Sequence, residues 1–236
     1  MNSRFIEQLE DIGITLNSKK EQEFEAYWSM LQKWNNKINL TRIVDREDVY
    51  EKHFLDSLSV VKALPIKEGQ KIIDIGTGAG LPGMPIKIVF PDTEVLLVDS
   101  LEKRVDFLNR AIRELELKNI RVIHGRAEQL AKEGEYRESY DLAVSRAVAN
   151  LSTLSEYNMP FLKTGGHFVA YKGSNISDEL EKGKNAIDIL GGKIKLVKEF
   201  KLPLTNINRT IVVIGKTSKT PEKYPRRAGI PEKRPL

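Results

Sequence analysis

Hydrophobic residues change their spacing along the chain near residue 65. In residues 1–64 apolar side chains recur at intervals of three and four, as at Phe24, Tyr27 and Leu31, which is the spacing of one helix face. The segment 65–70, PIKEGQ, interrupts that pattern, and the chain then alternates short apolar runs with amphipathic stretches. We therefore expect a helical extension followed by an α/β domain.

Five short apolar runs after residue 70 predict β-strands. They cover residues 71–75, 94–99, 120–124, 140–145 and 166–171. Amphipathic segments such as 103–117 separate them, and this alternation favours a parallel sheet with helices on both faces, because a parallel crossover needs a long connection.

The pattern changes again after a predicted helix at 176–190. Residues 193–202 and 209–216 are joined by a short loop with Pro203 and Asn206, which predicts an antiparallel hairpin. The expected fold is thus a doubly wound, mostly parallel, seven-stranded sheet of Rossmann-like α/β type that ends in a hairpin. This is the architecture of S-adenosylmethionine-dependent methyltransferases.

Positive charge is concentrated at the C-terminal end of the chain, and this adds a third part to the predicted division. These parts are the helical extension (1–64), the methyltransferase domain (65–216) and a basic, proline-rich tail (217–236). Residues 216–236 contain seven basic and two acidic residues, which equals the net charge of +5 of the whole chain. Such a segment suits a phosphate backbone, since each cation placed on a phosphate releases counterions, but a tail that only aids solubility has the same composition.

Composition excludes several kinds of chemistry. The chain has no cysteine, which excludes disulfides, thiolate metal sites and a cysteine nucleophile, and its three scattered histidines do not predict a metal site. No apolar stretch resembles a signal peptide or a membrane span. We expect a cytoplasmic protein that binds neither metal nor membrane.

A glycine-rich loop directly after the first predicted strand is the strongest functional motif. The sequence from Asp74 to Gly83 is DIGTGAGLPG, in which the glycines allow a tight turn and a close approach to a ligand. The stretch from Gly78 to Gly83 also satisfies G-x-G-x-x-G, and Asp99 lies 21 residues beyond Gly78. A nicotinamide dinucleotide site therefore remains an alternative at this point.

Three features favour S-adenosylmethionine over a dinucleotide. Asp74 ends the strand where a carboxylate can face an amino acid's ammonium group, which dinucleotides lack. Pro82 has no N–H to offer a pyrophosphate at the helix start, and the terminal hairpin is foreign to the nucleotide-binding half of a dehydrogenase. Asp99 is expected to hold the ribose hydroxyls in either case.

Two further segments follow the third and fourth predicted strands. Ala127 and Glu128 lie where the adenine of the donor would bind, although a favourable acidic residue at a helix start explains them equally well. Arg146 either positions the base or the donor's carboxylate, or simply caps a helix or pairs with an acid. The segment 145–150 lacks the motif of exocyclic-amine methyltransferases, and without cysteine a ring nitrogen such as guanine N7 remains an attractive target.

Several segments together resemble one family. They are WNNKINLT (34–41), HFLDSL (53–58), DIGTGAGLPG, VDSLEKRVDFL, GRAE, SRAVA, YKG (171–173) and the tail YPRRAGIPEKRPL. They closely resemble the bacterial 16S rRNA guanine-N7 methyltransferases once called glucose-inhibited division protein B, from about residue 34 to residue 236.

The resemblance implies methyl transfer from S-adenosylmethionine, with S-adenosylhomocysteine as product, to N7 of one guanine in the decoding region of 16S rRNA or the small subunit. It implies donor contacts by Gly76, Leu81, Ala127, Glu128 and Arg146. No general base is expected, because N7 presents a lone pair. A nicotinamide-dependent oxidoreductase and a non-catalytic RNA-binding or ribosome assembly protein remain the alternatives.

Overall fold

One seven-stranded sheet with helices on both faces forms the centre of the molecule. The computed structural model describes residues 3–146 and 149–236. The strands are β1 (Lys71–Ile75), β2 (Glu94–Asp99), β3 (Ile120–His124), β4 (Tyr140–Arg146), β5 (Leu162–Lys172), β6 (Gly192–Lys201) and β7 (Asn208–Lys216). Their order is β3-β2-β1-β4-β5-β7-β6, and β7 runs in the direction opposite to that of the other six strands. The predicted fold class is confirmed, including the terminal hairpin.

The helices among the described residues include the predicted extension. They are α1 (Ser3–Glu10), α2 (Ser18–Ile38), α3 (Arg46–Val49), α4 (Asp56–Leu58), α5 (Gly83–Val89), α6 (Glu102–Glu114), α7 (Ala127–Leu130), α8 (Leu151–Asn158), α9 (Ser177–Ile189) and α10 (Ile230–Lys233). A π-helical turn, Tyr50–Leu55, joins α3 to α4, and 3₁₀ segments follow α4 and α8. None of the helices in the part of the chain described is long and apolar enough to cross a membrane.

The two faces of the sheet bury two hydrophobic clusters. Alternate residues of a strand face opposite sides, so that Ile72 packs with one cluster and Ile73 with the other. The N-terminal helices belong to the first cluster, where Phe5 and Phe54 lie in the same core as sheet residues. Residues 3–62 therefore cover one face of the sheet and share its core.

The N-terminal end of β5 differs from the prediction. The strand begins at Leu162, four residues before the predicted start at Gly166, and its pairing with β4 shifts register between Tyr140 and Leu142. Gly165 has a φ of +90°, and an added Cβ at Gly166 would lie 3.0 Å from the backbone oxygen of Asp141. The two glycines accommodate a bulge inside the strand, whereas in the sequence they suggested its boundary.

The tail packs on the second cluster. Tyr224 is buried there, and the Arg137 guanidinium donates to the backbone oxygens of Thr220 and Tyr224. Near its end the tail forms the short helix α10, and Pro231 lies in the first turn of that helix, where a missing N–H costs nothing. Ile230, by contrast, is 37% exposed and does not anchor the segment.

Candidate active site

A cleft lies at the carboxyl ends of the central parallel strands. Strand order reverses direction between β1 and β4, which is where open α/β sheets bind ligands. Two adjoining cavities, of about 410 and 190 Å³, both reach Gly76, Asp99 and Ser100. Because they share these residues, they form the two halves of one cleft, which we call the loop half (410 Å³) and the α7 half (190 Å³).

The glycines of the loop after β1 serve two purposes. Gly76 and Gly78 have φ values of +72° and +61°, and both line the cleft. An added Cβ at Gly78 would meet no atom closer than the Gly76 oxygen at 4.0 Å, so it would project into open space. At Gly80, by contrast, a Cβ would lie 2.6 Å from Met84 and 2.7 Å from the Tyr27 hydroxyl. Gly78 thus leaves room for a ligand, whereas Gly80 leaves room for the packed protein.

Asp74 lies behind this loop and does not line either half of the cleft. Its Oδ2 accepts hydrogen bonds from the Thr77 hydroxyl (2.7 Å) and from the backbone N–H of Gly83 (2.8 Å). Its Oδ1 is buried without a partner among the described residues. Burial raises the pKa of this carboxyl to about 7. Asp74 therefore holds the loop together through Thr77 and Gly83, and it does not line the cleft where the sequence predicted that its carboxylate would face an ammonium group.

Asp99 lies where the two halves of the cleft meet. Its Oδ2 accepts from the backbone N–H of Gly78 at 2.8 Å, and its Oδ1 accepts from that of Leu101 at 2.9 Å. Arg104 approaches Oδ2 at 3.5 Å and also lines the loop half. The carboxylate is thereby fixed at the end of β2, beside the glycine loop, as the sequence predicted.

The α7 half is formed partly by the tail. Ala127 and Glu128 line it, together with Tyr157 of α8 and Glu232 of α10. Glu128 is buried, and its Oε1 accepts from the backbone N–H of Gly229 at 2.9 Å. None of the cofactor-binding residues predicted from the sequence lies in the tail, but Glu232 is part of the wall.

Arg146 ends β4 and lines the loop half, where it contacts the N-terminal region. Its Nη1 donates to the Asp56 carboxylate (3.1 Å) and to the backbone oxygen of Lys52 (3.1 Å), while its Nη2 lies 3.1 Å from Nδ1 of His53. The other Asp56 oxygen accepts from Arg209 at 2.8 Å. Arg146 is therefore held by an acid, one of the two structural roles that the sequence left open. Ala147 and Val148 of the SRAVA segment lie outside the described residues.

Comparisons with known proteins agree on a single family. The family model described as GidB, rRNA small subunit methyltransferase G, matches residues 20–211. The chain is 48% identical over 235 residues to Ribosomal RNA small subunit methyltransferase G of Lachnoclostridium phytofermentans, covering 100% of this chain and 97% of the relative. The same protein of Clostridium kluyveri is 50% identical over 226 residues, or 96% and 94% of the two chains. The chain belongs to the rRNA small subunit methyltransferase G family.

Solved structures agree with this assignment at the level of fold. An S-adenosylmethionine-dependent methyltransferase from Aquifex aeolicus aligns with a TM-score of 0.52 at 19% identity, over 72% of this chain and 93% of that one. Fibrillarin from Aeropyrum pernix, solved with S-adenosylmethionine bound, aligns with a TM-score of 0.52 at 18% identity, over 68% and 72%. The predicted enzyme class and the predicted cofactor, S-adenosylmethionine, are confirmed by the family. The nicotinamide-dependent alternative is thereby set aside.

The cleft fits this cofactor on observations of its own. Gly76 and Gly78 both line the loop half, and an added Cβ at Gly78 would project into open space. The Asp99 carboxylate is held where the two halves meet. Of the eight residues predicted from the sequence, all but Asp74 line the cleft. These seven are Gly76, Gly78, Leu81, Asp99, Ala127, Glu128 and Arg146.

Sequence reasoning missed several cleft residues that come from outside the predicted domain 65–216. Leu40, Thr41 and His53 line the loop half, and Glu232 lines the α7 half. The only signal for the first three was that WNNKINLT and HFLDSL are among the segments that resemble the family. Periodicity could not find them, because their positions depend on how the extension packs on the sheet.

Proposed function

We propose that this enzyme transfers the methyl group of S-adenosylmethionine to N7 of one guanine in the decoding region of 16S rRNA. The observation that carries the proposal is the match of almost the whole chain to relatives named for the RNA of the small ribosomal subunit. A loop with an open Cβ direction at Gly78, at the switch point of the sheet, provides the donor site that this function needs.

Seven cleft residues are proposed to hold the donor. Gly76, Gly78 and Leu81 provide the wall around its methionine part, and Asp99 accepts from its ribose hydroxyls. Ala127 and Glu128 are proposed to contact the adenine, while Arg146 faces the loop half. When bound, S-adenosylmethionine supplies an electrophilic methyl group on a sulfonium. The role of the protein is then to hold the two reactants in line.

His53, the one histidine among the described residues of the cleft wall, is not placed to take a proton. Burial and the nearby Arg146 guanidinium lower the pKa of His53 to about 4. Both ring nitrogens are also engaged, with Thr41 and with Arg146. A neutral, fully bonded imidazole suits the chemistry of N7, in which a lone pair attacks without deprotonation.

The RNA partner is proposed to meet the cationic surface of the tail. Of the seven basic side chains in residues 216–236, five are exposed, namely Lys219, Lys223, Arg227, Lys233 and Arg234. Lys233 lies in α10, which carries Glu232 of the cleft wall, and Arg234 directly follows it. Contacts with phosphates would add affinity without reading sequence. We also propose a cytoplasmic location, because that is where bacterial ribosomal RNA is found.

The test is transfer of a labelled methyl group to ribosomal RNA from cells that lack the protein. We expect one labelled guanine in 16S rRNA, with the label on N7, when purified enzyme and S-adenosylmethionine are supplied. Naked RNA, assembling subunits and mature subunits are assayed separately. A protein that binds the donor and rRNA but labels none of the three would instead favour the assembly role.

A further inference from the structure

Thr41 lies where the N-terminal region reaches the cleft. It follows α2 and lines the loop half together with Gly76, Leu81 and Arg146. Its Oγ1 accepts from the backbone N–H of Ile43 at 3.0 Å and lies 2.8 Å from Nε2 of His53. Its backbone N–H donates to Oδ1 of Asn35 at 2.8 Å. The residue is therefore held in place from three sides.

The direction of the bond between Thr41 and His53 follows from Arg146. A guanidinium only donates hydrogen bonds, so Nδ1 of His53, 3.1 Å from Nη2 of Arg146, must present its lone pair. The proton of the neutral ring is then on Nε2, which donates to Thr41. The backbone oxygen of Lys52 also lies 3.2 Å from this Nδ1, but a proton on Nδ1 would leave the Arg146 Nη2–H, at 3.1 Å, facing another donor.

With this assignment, the Thr41 hydroxyl can donate one further hydrogen bond but cannot accept another. Its oxygen has two acceptor positions, and the Ile43 N–H and the His53 Nε2–H occupy both. Its own proton has no acceptor within the described protein. An ordinary hydroxyl matches a carbonyl or an amine equally well, because it can rotate. The Thr41 hydroxyl can only donate.

We propose that Thr41 is a specificity-determining residue, whose hydroxyl donates to the O6 carbonyl of the target guanine. This inference rests on the proposed function. O6 is adjacent to N7 on the edge of the purine, whereas adenine presents an amine at the same place. A hydroxyl that can only donate therefore favours guanine, which offers a carbonyl, over adenine, which offers an amine. A site built around such a hydrogen bond discriminates strongly against a base that cannot form it. His53 acts as a positioning residue, because it removes the acceptor capacity of Thr41.

The experiment pairs a protein variant with a base analogue. Thr41→Val removes the hydroxyl and keeps the shape, and Thr41→Ser restores the hydroxyl. The matched control is Thr205→Val in the β6–β7 turn, where Oγ1 likewise accepts from the N–H two residues later, that of Ile207, at 2.9 Å. Small-subunit RNA is ligated to carry guanine, inosine or 2-aminopurine at the methylated position. Inosine keeps O6 and 2-aminopurine lacks it.

We expect Thr41→Val to lower kcat/KM on guanine RNA by about 10- to 100-fold, the effect of removing one buried hydrogen bond. The affinity for S-adenosylmethionine and the melting temperature should match those of the Thr205 control, and Thr41→Ser should recover the rate. The wild type should lose a similar factor on 2-aminopurine but not on inosine. On 2-aminopurine, Thr41→Val should cost nothing further, because the partner is already gone.

Two results would overturn the assignment. If the losses from Thr41→Val and from 2-aminopurine multiply, the hydroxyl does not act on O6. If ¹⁵N spectra of the imidazole show the proton on Nδ1 of His53, Thr41 is not restricted to donating. A wild type that methylates no guanine RNA would instead overturn the proposed function itself.

Discussion

Gly78 combines a left-handed backbone with an open position on the cleft. We predict that Gly78→Ala costs about 1 to 2 kcal/mol of stability from its positive φ and also abolishes donor binding, because the new Cβ occupies the space left for the ligand. Gly13 provides a matched control, since it has a φ of +78°, no atom within 4 Å of an added Cβ, and no place in the cleft. Gly13→Ala should show the same loss of stability with unchanged affinity, as measured by urea unfolding and calorimetry. Parental affinity in folded Gly78→Ala would remove the loop from the donor site.

The buried carboxyl of Asp74 makes stability depend on pH. Its pKa is about 7 in the folded protein and 3.8 in an unfolded chain. Between these values the folded state keeps a proton that the unfolded state has released. Its contribution to the free energy of unfolding therefore falls as pH rises from about 4 to about 7, and it is constant above that range.

We predict that Asp74→Asn, which cannot ionise, becomes more stable relative to the wild type as pH rises. The stability of the wild type relative to the variant should be greater at pH 5 than at pH 8, by at most about 3 kcal/mol, because about two pH units of that interval lie below the folded-state pKa of about 7. Urea unfolding of the ligand-free proteins at the two pH values measures the difference. The same difference at both pH values would contradict a protonated Asp74.

At the scale of elements, the tail is joined to α8 by a buried ion pair. Glu156 of α8 is fully buried, and its Oε2 accepts from Nη2 of Arg226 at 2.6 Å. Its Oε1 accepts from both Nε and the backbone N–H of Arg226. Without the Arg226 guanidinium, the buried Glu156 carboxylate would lose most of its hydrogen-bond partners. An unpaired buried charge of this kind strongly destabilises the folded state.

We predict that Arg226→Ala destabilises the protein by about 3 kcal/mol or more. The neighbouring Arg227 is exposed, so Arg227→Ala removes the same charge and should leave the melting temperature nearly unchanged. Since α10 supplies Glu232 to the α7 half, Arg226→Ala should also weaken donor binding. Equal melting temperatures for the two variants would show that the pair does not hold the tail.

At the scale of the whole molecule, two of the basic side chains of residues 216–236 are held by contacts within the protein and five are exposed at the surface. Lys216 is buried and donates to the backbone oxygen of Met159, and Arg226 is held by Glu156. The five exposed cations, Lys219, Lys223, Arg227, Lys233 and Arg234, are accessible to RNA. Truncating the tail would therefore disturb folding and binding together, whereas substituting these five side chains separates the two.

We predict that changing these five residues to Gln keeps the melting temperature and weakens RNA binding. The salt dependence should flatten by roughly 0.7 to 0.9 units of slope for each phosphate that the variant no longer neutralises. The control removes five exposed lysines from outside the tail, namely Lys67, Lys71, Lys118, Lys163 and Lys193. Filter binding at several salt concentrations measures both sets. Equal losses for the two sets would mean that only net charge matters.

Local pattern was sufficient to predict most of the elements, and most of the site residues predicted from the sequence line the cleft. Strands β1 to β4 and helices α6 and α9 lie within a few residues of their predicted bounds, since periodicity reports which face of an element is buried. The residues after β1, β2, β3 and β4 meet because parallel strands end at one edge, so that motifs far apart in the sequence could be assigned to one site. The start of β5 was predicted wrongly, because Gly165 and Gly166 lie inside the strand at a bulge and not at its boundary.

Tertiary structure alone decided what the two ends of the chain contribute. Thr41 and His53 reach the cleft because α1 and α2 bury their aromatic side chains against the sheet, and Glu232 reaches it because Arg226 and Tyr224 fix the tail. Asp74, by contrast, was found from its place in the motif but does not line the cleft. Its hydrogen bonds with Thr77 and Gly83, seen only in the tertiary structure, fix the direction of its carboxyl group. Sequence spacing determines which residues an element presents, whereas contacts between distant elements determine which of them face the ligand and which are buried behind it.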